Sequence, residues 1–146
     1  MASDGLLTEP YVLEYSYKRS TGPVIGRFLT GLRERRIYGS RTAGGEVMVP
    51  PTEYDRVGRA VEPELVEVAQ EGQVVTWSWV RNPRPEHPLS RPFAYVLVRL
   101  DGADTAMLHA LDAPGPGAVR SGMRVRVRWR AERTGTIRDI ECFEAA

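Results

Sequence analysis

The stretch that decides the fold of this chain is Met123-Arg-Val-Arg-Val-Arg-Trp-Arg130. Met123, Val125, Val127 and Trp129 fall on one side of an extended chain, and the arginines between them fall on the other. Strict alternation of this kind is typical of a β-strand with one face in a core and the other face wet or ion-paired. The stretch therefore predicts a strand in a mainly β protein.

Similar extended runs fill the second half of the 146-residue chain, separated by turn signals such as Gln70-Glu-Gly72, Asp101-Gly102 and Ser121-Gly122. In the final run the apolar residues change phase, which indicates a bulge or burial on both faces. Five or six short strands at this spacing, with no helix between them, predict a small closed barrel. The strands are predicted over residues 64–68, 73–80, 93–100, 105–111, 123–130 and 136–143.

The first third of the chain has a different pattern, which predicts a helix over residues 22–35. Thr21 or Gly22 can cap this helix, and Pro23 suits its first turn, where the missing N–H is not needed. Apolar residues recur at helical spacing and form a stripe that something must cover. The stripe either packs on the C-terminal domain or docks on another chain. Its members are Val24, Ile25, Phe28, Leu29 and Leu32.

A tyrosine-rich segment, residues 11–17, precedes the helix. Tyr11, Leu13, Tyr15 and Tyr17 alternate with other residues, and this period of two favours an extended conformation. The segment is either a strand on the protein's own surface or an arm that lies on a partner.

A short hairpin is predicted after the helix, from two extended runs at residues 37–41 and 46–49. The Gly44-Gly45 pair between them is a good turn. Pro50-Pro51 then ends the second strand, because neither proline can donate to a sheet ladder.

Composition excludes several classes of protein. Apolar residues make up 42% of the chain, which is enough for a core, and 20 Lys and Arg balance 19 Asp and Glu. No net field therefore attracts nucleic acid or an anionic membrane. No apolar run approaches the roughly 18 residues that a membrane span needs. The N-terminus lacks a signal segment, which favours a cytoplasmic location.

The candidate catalytic residues each have a structural explanation. Cys142 is the only cysteine, which excludes an internal disulfide and a multi-cysteine zinc site, and we expect it to be a small buried apolar group. His109 shares a strand phase with Met107 and Leu111, so we expect a core-edge histidine bonded to backbone rather than a catalytic base. The sequence has no nucleophile motif and no phosphate-binding loop. We therefore assign no catalytic residue.

The arginine face of residues 123–130 requires screening, because like charges on one strand face repel. Acidic neighbours in the chain can provide it, or else an external phosphate or a carboxylate-rich partner does. The acidic candidates are Asp101, Asp104, Glu132 and Asp139.

The order and spacing of four segments resemble the acyl-CoA-associated OB-fold family, labelled domain of unknown function thirty-five (DUF35). Members have an N-terminal helix, a rubredoxin-like zinc ribbon and a five-stranded OB barrel. The resemblance implies a mainly β fold, with an arm, helix and ribbon hairpin in residues 1–60 and an OB-fold domain in residues 61–146. The matching segments are Val74-Val-Thr-Trp-Ser-Trp-Val80, residues 92–102, Gly122-Met-Arg-Val125 and residues 135–143.

The ribbon departs from the family pattern. The four positions that carry zinc-binding cysteines in the family correspond to Arg41, Gly44, Asp55 and Gly58 in this chain. This set cannot reproduce a thiolate cage, so we predict a degenerate ribbon without zinc or any other metal. An ion pair between Arg41 and Asp55 is one hypothesis for what replaces the metal.

The resemblance also implies a function. Family members accompany thiolase-superfamily enzymes that act on acyl-CoA thioesters, including steroid side-chain thioesters. We therefore expect a non-catalytic accessory subunit of an aldolase or thiolase type complex, which stabilises the catalytic subunit and helps to form its acyl-CoA site. The contacts expected with the partner are Val24, Phe28, Leu32, Tyr38, Pro50, Pro51 and Tyr54, and those expected with coenzyme A or another anion are Arg124, Arg126 and Arg128.

Three alternatives remain open at this point. An OB barrel can bind single-stranded nucleic acid, although residues 61–146 carry 11 arginines against 12 acidic groups. An independent enzyme would need an acid, a base and an anion hole that these residues do not supply. A homo-oligomeric scaffold is the third alternative.

Overall fold

The structure is a computed structural model that describes Gly5 and residues 7–146. Within these residues the chain forms one α-helix and eight β-strands, with short 3-10 turns at Pro116–Ala118 and Ile137–Asp139. The mainly β architecture confirms the predicted fold class. The elements are α1 Gly22–Arg33, β1 Ile37–Arg41, β2 Val47–Met48, β3 Leu65–Val68, β4 Glu71–Val80, β5 Phe93–Leu100, β6 Met107–Leu111, β7 Arg124–Trp129 and β8 Ile140–Ala145.

The last five strands form a closed barrel in the order β4-β5-β6-β8-β7. Its closure runs through Gly72, which pairs with Leu100 of β5 on one side and with Val125 of β7 on the other. A bulge between Val74 and Thr76 changes the phase of β4. Trp77 therefore joins Val74 on the core side, although the two residues are three positions apart and regular alternation would put them on opposite faces.

A second, three-stranded sheet has the order β2-β1-β3. The β1–β2 hairpin was predicted, whereas the sequence assigned residues 64–68 to the barrel. That strand pairs with β1 instead, from Ile37 opposite Val68 to Ser40 opposite Leu65. We call β1, β2, β3 and the loop between β2 and β3 the N-terminal lobe.

The helix packs on the chain's own core. Phe28 and Leu32 are 3% and 0% exposed, and they belong to the same buried cluster as barrel residues of β5 and β7. Arg133 fixes the end of the helix, since its Nε donates to the Arg33 carbonyl at 2.9 Å. Of the two alternatives for the stripe, packing on the C-terminal domain is the one realised.

The edge of the lobe is bound to the turn that joins β5 to β6. Val47 N donates to Asp104 Oδ2, and Asp104 N donates to the Val47 carbonyl, both at 2.8 Å. Val49 N donates to Thr105 Oγ1 at 2.8 Å. Lobe and barrel therefore share hydrogen bonds as well as a core.

The last predicted strand starts later than expected. Residues 137–139 form a 3-10 turn, and β8 begins only at Ile140. Asp139 is 2% exposed. Its carboxylate accepts hydrogen bonds from the backbone N–H groups of Thr134 at 2.9 Å, Gly135 at 2.8 Å and Thr136 at 3.3 Å. This buried carboxylate explains the broken alternation, because it closes the turn from inside.

The tyrosine-rich segment forms no strand. Residues 7–20 lack regular structure, and Tyr11, Leu13, Tyr15 and Tyr17 are 63–84% exposed. The expectation of a strand on the protein's own surface is therefore wrong, because no sheet edge of the chain takes this segment. Among the described residues, no helix has the length and apolar character to cross a membrane.

Candidate functional site

A groove of about 420 Å³ lies on the outer face of β5 and β6. Tyr95 and Leu108 contribute to it from these strands, the proline-rich loop at residues 85–88 forms one wall, and Ile137 and Arg138 form the other. In OB folds this face, between the loops that flank it, is where oligonucleotides and oligosaccharides bind. The position makes the groove the leading candidate for a binding site.

The groove exists because β6 and β8 separate. Their parallel pairing contains a single register pair, Leu111 with Phe143, and Asp112 N donates to the Phe143 carbonyl at 2.9 Å. Toward the start of β6 the strands diverge, and His109 spans the space, with its Nε2 3.5 Å from the Ile137 carbonyl. The opening thus follows from the sheet topology.

Two arginines at the groove differ from the rest of the arginine face. Arg130 and Arg138 are exposed and line the groove. Neither side chain forms an ion pair with any carboxylate in the part of the chain that the structure describes. The sequence grouped Arg130 with the strand's other arginines, and Arg138 gave no signal, so reasoning from the sequence missed this pair.

The remaining arginines of the face are screened by the chain itself. Arg124 donates to Asp101 through its two terminal guanidinium nitrogens, at 2.8 and 2.5 Å. Arg126 binds Glu144 at 3.1 Å. Of the acidic neighbours proposed from sequence, only Asp101 has this role; Asp104 and Asp139 bind backbone N–H groups instead.

Arg128 lies at the centre of the network. Its guanidinium contacts Glu141 at 2.7 Å, Asp112 at 3.0 Å and Glu144 at 3.2 Å. Partial burial opposes its charge, but these carboxylates outweigh burial and raise the pKa of Arg128. The hydrogen bonds from Arg124 likewise lower the pKa of Asp101. A contact of Arg124, Arg126 or Arg128 with coenzyme A stays a prediction, and it now requires that these pairs open.

Cys142 has the structural role expected of it. The side chain is fully buried beside Phe93 and Ala110, and burial raises the pKa of its thiol to about 11. The thiol is therefore protonated at neutral pH and is not a nucleophile.

His109 is a buried neutral side chain bonded to backbone, as the sequence indicated. It is 9% exposed, and its Nδ1 accepts the Ala110 N–H at 2.8 Å. Burial lowers the pKa of His109 despite its backbone hydrogen bonds. A proton on Nδ1 would remove the acceptor for Ala110 N–H and leave a charge in the core.

This burial predicts a pH dependence of stability. The unfolded chain binds the proton near pH 6.5, before the folded chain does, so stability should fall as the pH decreases below about 6.5. We expect the free energy of unfolding to decrease by up to about 1 kcal/mol between pH 7.5 and 5.5. Urea denaturation of the wild type and His109→Gln checks this. An equal pH dependence in both proteins would contradict it.

The lobe has two tight loops at the positions of the family's cysteine pairs. Asp55 Oδ1 accepts the N–H groups of Val57 and Arg59, and Asp55 Oδ2 binds Arg59 Nε at 2.9 Å. Arg59 lowers the pKa of Asp55, mainly through its backbone N–H. An ion pair joins the two loops, with a terminal guanidinium nitrogen of Arg56 2.8 Å from Glu46 Oε1.

The hypothesis of an Arg41–Asp55 pair is wrong, since Arg41 lies 3.8 Å from Glu62 and Asp55 binds Arg59. The residues also do not fit a zinc ion, because Gly44 and Gly58 have no side-chain ligand and both Asp55 oxygens are occupied by N–H donors. In the described part of the chain, no three His, Cys, Asp or Glu side chains converge as a metal site would require. The metal-free ribbon stays a prediction.

The seven predicted partner contacts divide into two groups. Phe28, Leu32 and Pro51 are buried in the chain itself, so their contact with a partner stays a prediction that would require the core to open. Pro50 and Tyr54 are exposed, and Tyr54 reaches 58%. The other two, Val24 and Tyr38, are partly exposed. The four accessible residues stay predictions.

The geometry defines a class of protein: a five-stranded OB-fold barrel with an attached helix and three-stranded lobe. Residues 65–130 match the family described as the C-terminal OB-fold domain of ChsH2. A DUF35 domain-containing scaffold protein of Pyrococcus furiosus is 24% identical over 104 residues, which are 70% of this chain and 76% of the relative.

Two solved structures share the fold. The Ltp2-ChsH2(DUF35) aldolase aligns with a TM-score of 0.63 and 21% identity, over 88% of this chain and 98% of that chain. A DUF35 family protein of unknown function from Sulfolobus solfataricus aligns with a TM-score of 0.63 and 18% identity, over 86% and 85%. These matches confirm the resemblance to the DUF35 OB-fold family.

Proposed function

We propose that this chain is a non-catalytic accessory subunit of an aldolase complex, in which a thiolase-superfamily partner acts on an acyl-CoA thioester. The names of the scaffold protein and of the aldolase subunit support this class of role for the family. The proposal includes a cytoplasmic location and, as one substrate class, the thioesters of steroid side chains.

The observation that carries the proposal is the exposed apolar arm, residues 7–17. Tyr11, Leu13 and Tyr15 are 84%, 63% and 74% exposed, and none of them contributes to the buried core of the chain. Exposed apolar residues clustered in one short segment are typical of a protein interface. No catalytic set accompanies them among the described residues, where Cys142 and His109 are buried in structural roles.

Co-expression with thiolase-superfamily aldolase subunits tests the proposal. We expect a hetero-oligomer by light scattering, and aldol cleavage of an acyl-CoA substrate by the complex. The variant with Tyr11→Ser, Leu13→Ser and Tyr15→Ser should bind the partner at least about tenfold more weakly, since exposed anchors lose their apolar contacts. Val57→Ser is the matched control, because Val57 is 74% exposed outside the arm.

Two outcomes would contradict the proposal. One is a chain that stays monomeric with every such partner. The other is activity of the isolated chain, which would indicate an independent enzyme.

Nucleic-acid binding is a second candidate, favoured by the location of the groove on the OB face. The rings there are poorly placed for stacking. Phe93 and Tyr95 meet edge to face with centroids 5.0 Å apart, and His87 meets Tyr95 at 89°. A single-stranded binder instead presents open aromatic faces. Salt-sensitive binding of an oligo-dT probe would favour this candidate over the accessory subunit.

A further inference from the structure

The edge of β6 has unpaired backbone in the groove. Because Asp112 N donates to β8, the even-numbered residues of β6 direct their backbone groups away from β5. The β6–β8 ladder contains only the Leu111–Phe143 pair. Ala110 N is satisfied by His109 Nδ1, which leaves Leu108 N–H and C=O facing the groove without a strand partner among the described residues. This edge can accept an added strand.

The side chains beside this edge are aliphatic. Leu108 is 60% exposed and Ile137 is 43% exposed, and both line the groove. They provide apolar contacts for alternate side chains of an extended segment. Since the aromatic rings of the groove meet edge to face, the groove favours aliphatic contacts with a ligand over stacking with bases.

Arg130 and Arg138 outnumber Glu86, the one groove carboxylate without an ion pair in the described chain, so the charges at the groove favour an acidic occupant. Arg130 and Arg138 are exposed and unpaired within the described chain, while the neighbouring Glu141 binds Arg128. Arg130 N also donates to the Asp139 carbonyl at 3.0 Å, which keeps the two arginine backbones close together. Planar guanidinium groups bind carboxylates well.

The groove is built before anything binds. The Asp139 carboxylate holds the turn that carries Ile137 and Arg138 through three backbone N–H groups. His109 of β6 contacts the same turn, with its Nε2 3.5 Å from the Ile137 carbonyl oxygen. A preformed edge costs little conformational entropy on binding.

We propose that this groove binds an extended, acidic segment of the partner protein, which adds to β6 as a strand and directs carboxylates to Arg130 and Arg138. This inference rests on the proposed function only for the identity of the partner. The groove and its preference for an acidic strand follow from the contacts above.

Titration of the full chain with synthetic peptides tests the groove directly. The probe is a ten-residue peptide that alternates Leu and Glu, followed by fluorescence anisotropy. We expect saturable binding, which Arg130→Gln together with Arg138→Gln weakens at least about tenfold. Arg99→Gln is the matched control, since Arg99 is exposed on β5 away from the groove. A peptide alternating Leu and Lys should not bind.

Several results would overturn the inference. Equal binding by the double arginine variant would exclude the acidic contact, and equal binding by a backbone N-methylated probe would exclude strand addition. Tighter binding of a peptide with the sequence of residues 7–16 would assign the groove to another copy of this chain. Displacement of the probe by coenzyme A or oligo-dT would assign it to a different ligand class.

The proposed function and the groove inference can fail independently of each other, and the experiments distinguish the two failures. If the probe binds but no aldolase subunit assembles with the chain, the groove inference stands and the partner is different. If a complex forms with full affinity in the Arg130→Gln, Arg138→Gln variant and the probe does not bind, the groove inference fails and the accessory role stands.

Discussion

Replacement of Leu32 by alanine is expected to lower the free energy of unfolding by about 3–4 kcal/mol. Leu32 is 0% exposed and lies in the cluster that joins the helix to the barrel. The substitution removes buried apolar surface and leaves a cavity between two elements that are far apart in sequence, so the core cannot easily collapse to fill it. Urea denaturation of the isolated chain measures the effect.

Leu108→Ala is the matched control for this experiment. It removes the same atoms from a side chain that is 60% exposed, and we expect a change below about 0.5 kcal/mol. A comparably small effect at Leu32 would mean that the helix does not pack on its own barrel. The partner contact first predicted for Leu32 would then have to be tested in the complex.

The second large effect is expected from Gly72→Ala, which should cost about 3 kcal/mol or prevent folding. A Cβ at this position would overlap the Arg99 carbonyl and lie 2.7 Å from Leu100 Cα. Both obstacles are backbone, so no side chain can move away to make room. Because β4 pairs with β5 and β7 at this residue, the strain falls on the closure of the barrel.

Gly115→Ala is the control for the loss of glycine itself. Gly115 is in extended backbone, with φ −176°, and a Cβ there meets nothing within 4 Å. We expect little change in the midpoint of thermal unfolding for this variant and a large decrease for Gly72→Ala. Equal midpoints would show that the barrel does not close through Gly72. Circular dichroism follows both transitions.

Much of the barrel could be predicted from short-range patterns. The alternation of residues 123–130 predicts β7, and the Asp101-Gly102 signal gives the turn between β5 and β6, where Gly102 has φ +92°. Pro23 in the first turn and the stripe after it predict α1. These features depend on residues that are near neighbours in the chain, so their signals are local.

The candidate site could be predicted only in part. The burial of His109 followed from its strand phase, and that of Cys142 from the apolar character of a lone cysteine in a strand. The groove did not, because it depends on how far β6 and β8 pair, and Arg138 lies in a turn that the sequence assigned to a strand. Asp139 interrupts the alternation of the last predicted strand, because its buried carboxylate binds backbone N–H groups, and apolar periodicity in a sequence does not reveal such hydrogen bonds.

By itself, the sequence determined most of the extended and helical segments, which faces are apolar, and that no thiolate cage can form. Tertiary structure alone decided that Leu32 faces the barrel rather than a partner, that Gly72 is a close backbone contact rather than a turn, and which arginines are neutralised. The physical reason is distance along the chain. Arg124 meets Asp101 and Gly72 meets Arg99 only after strands have paired in register, so those contacts depend on the assembled barrel.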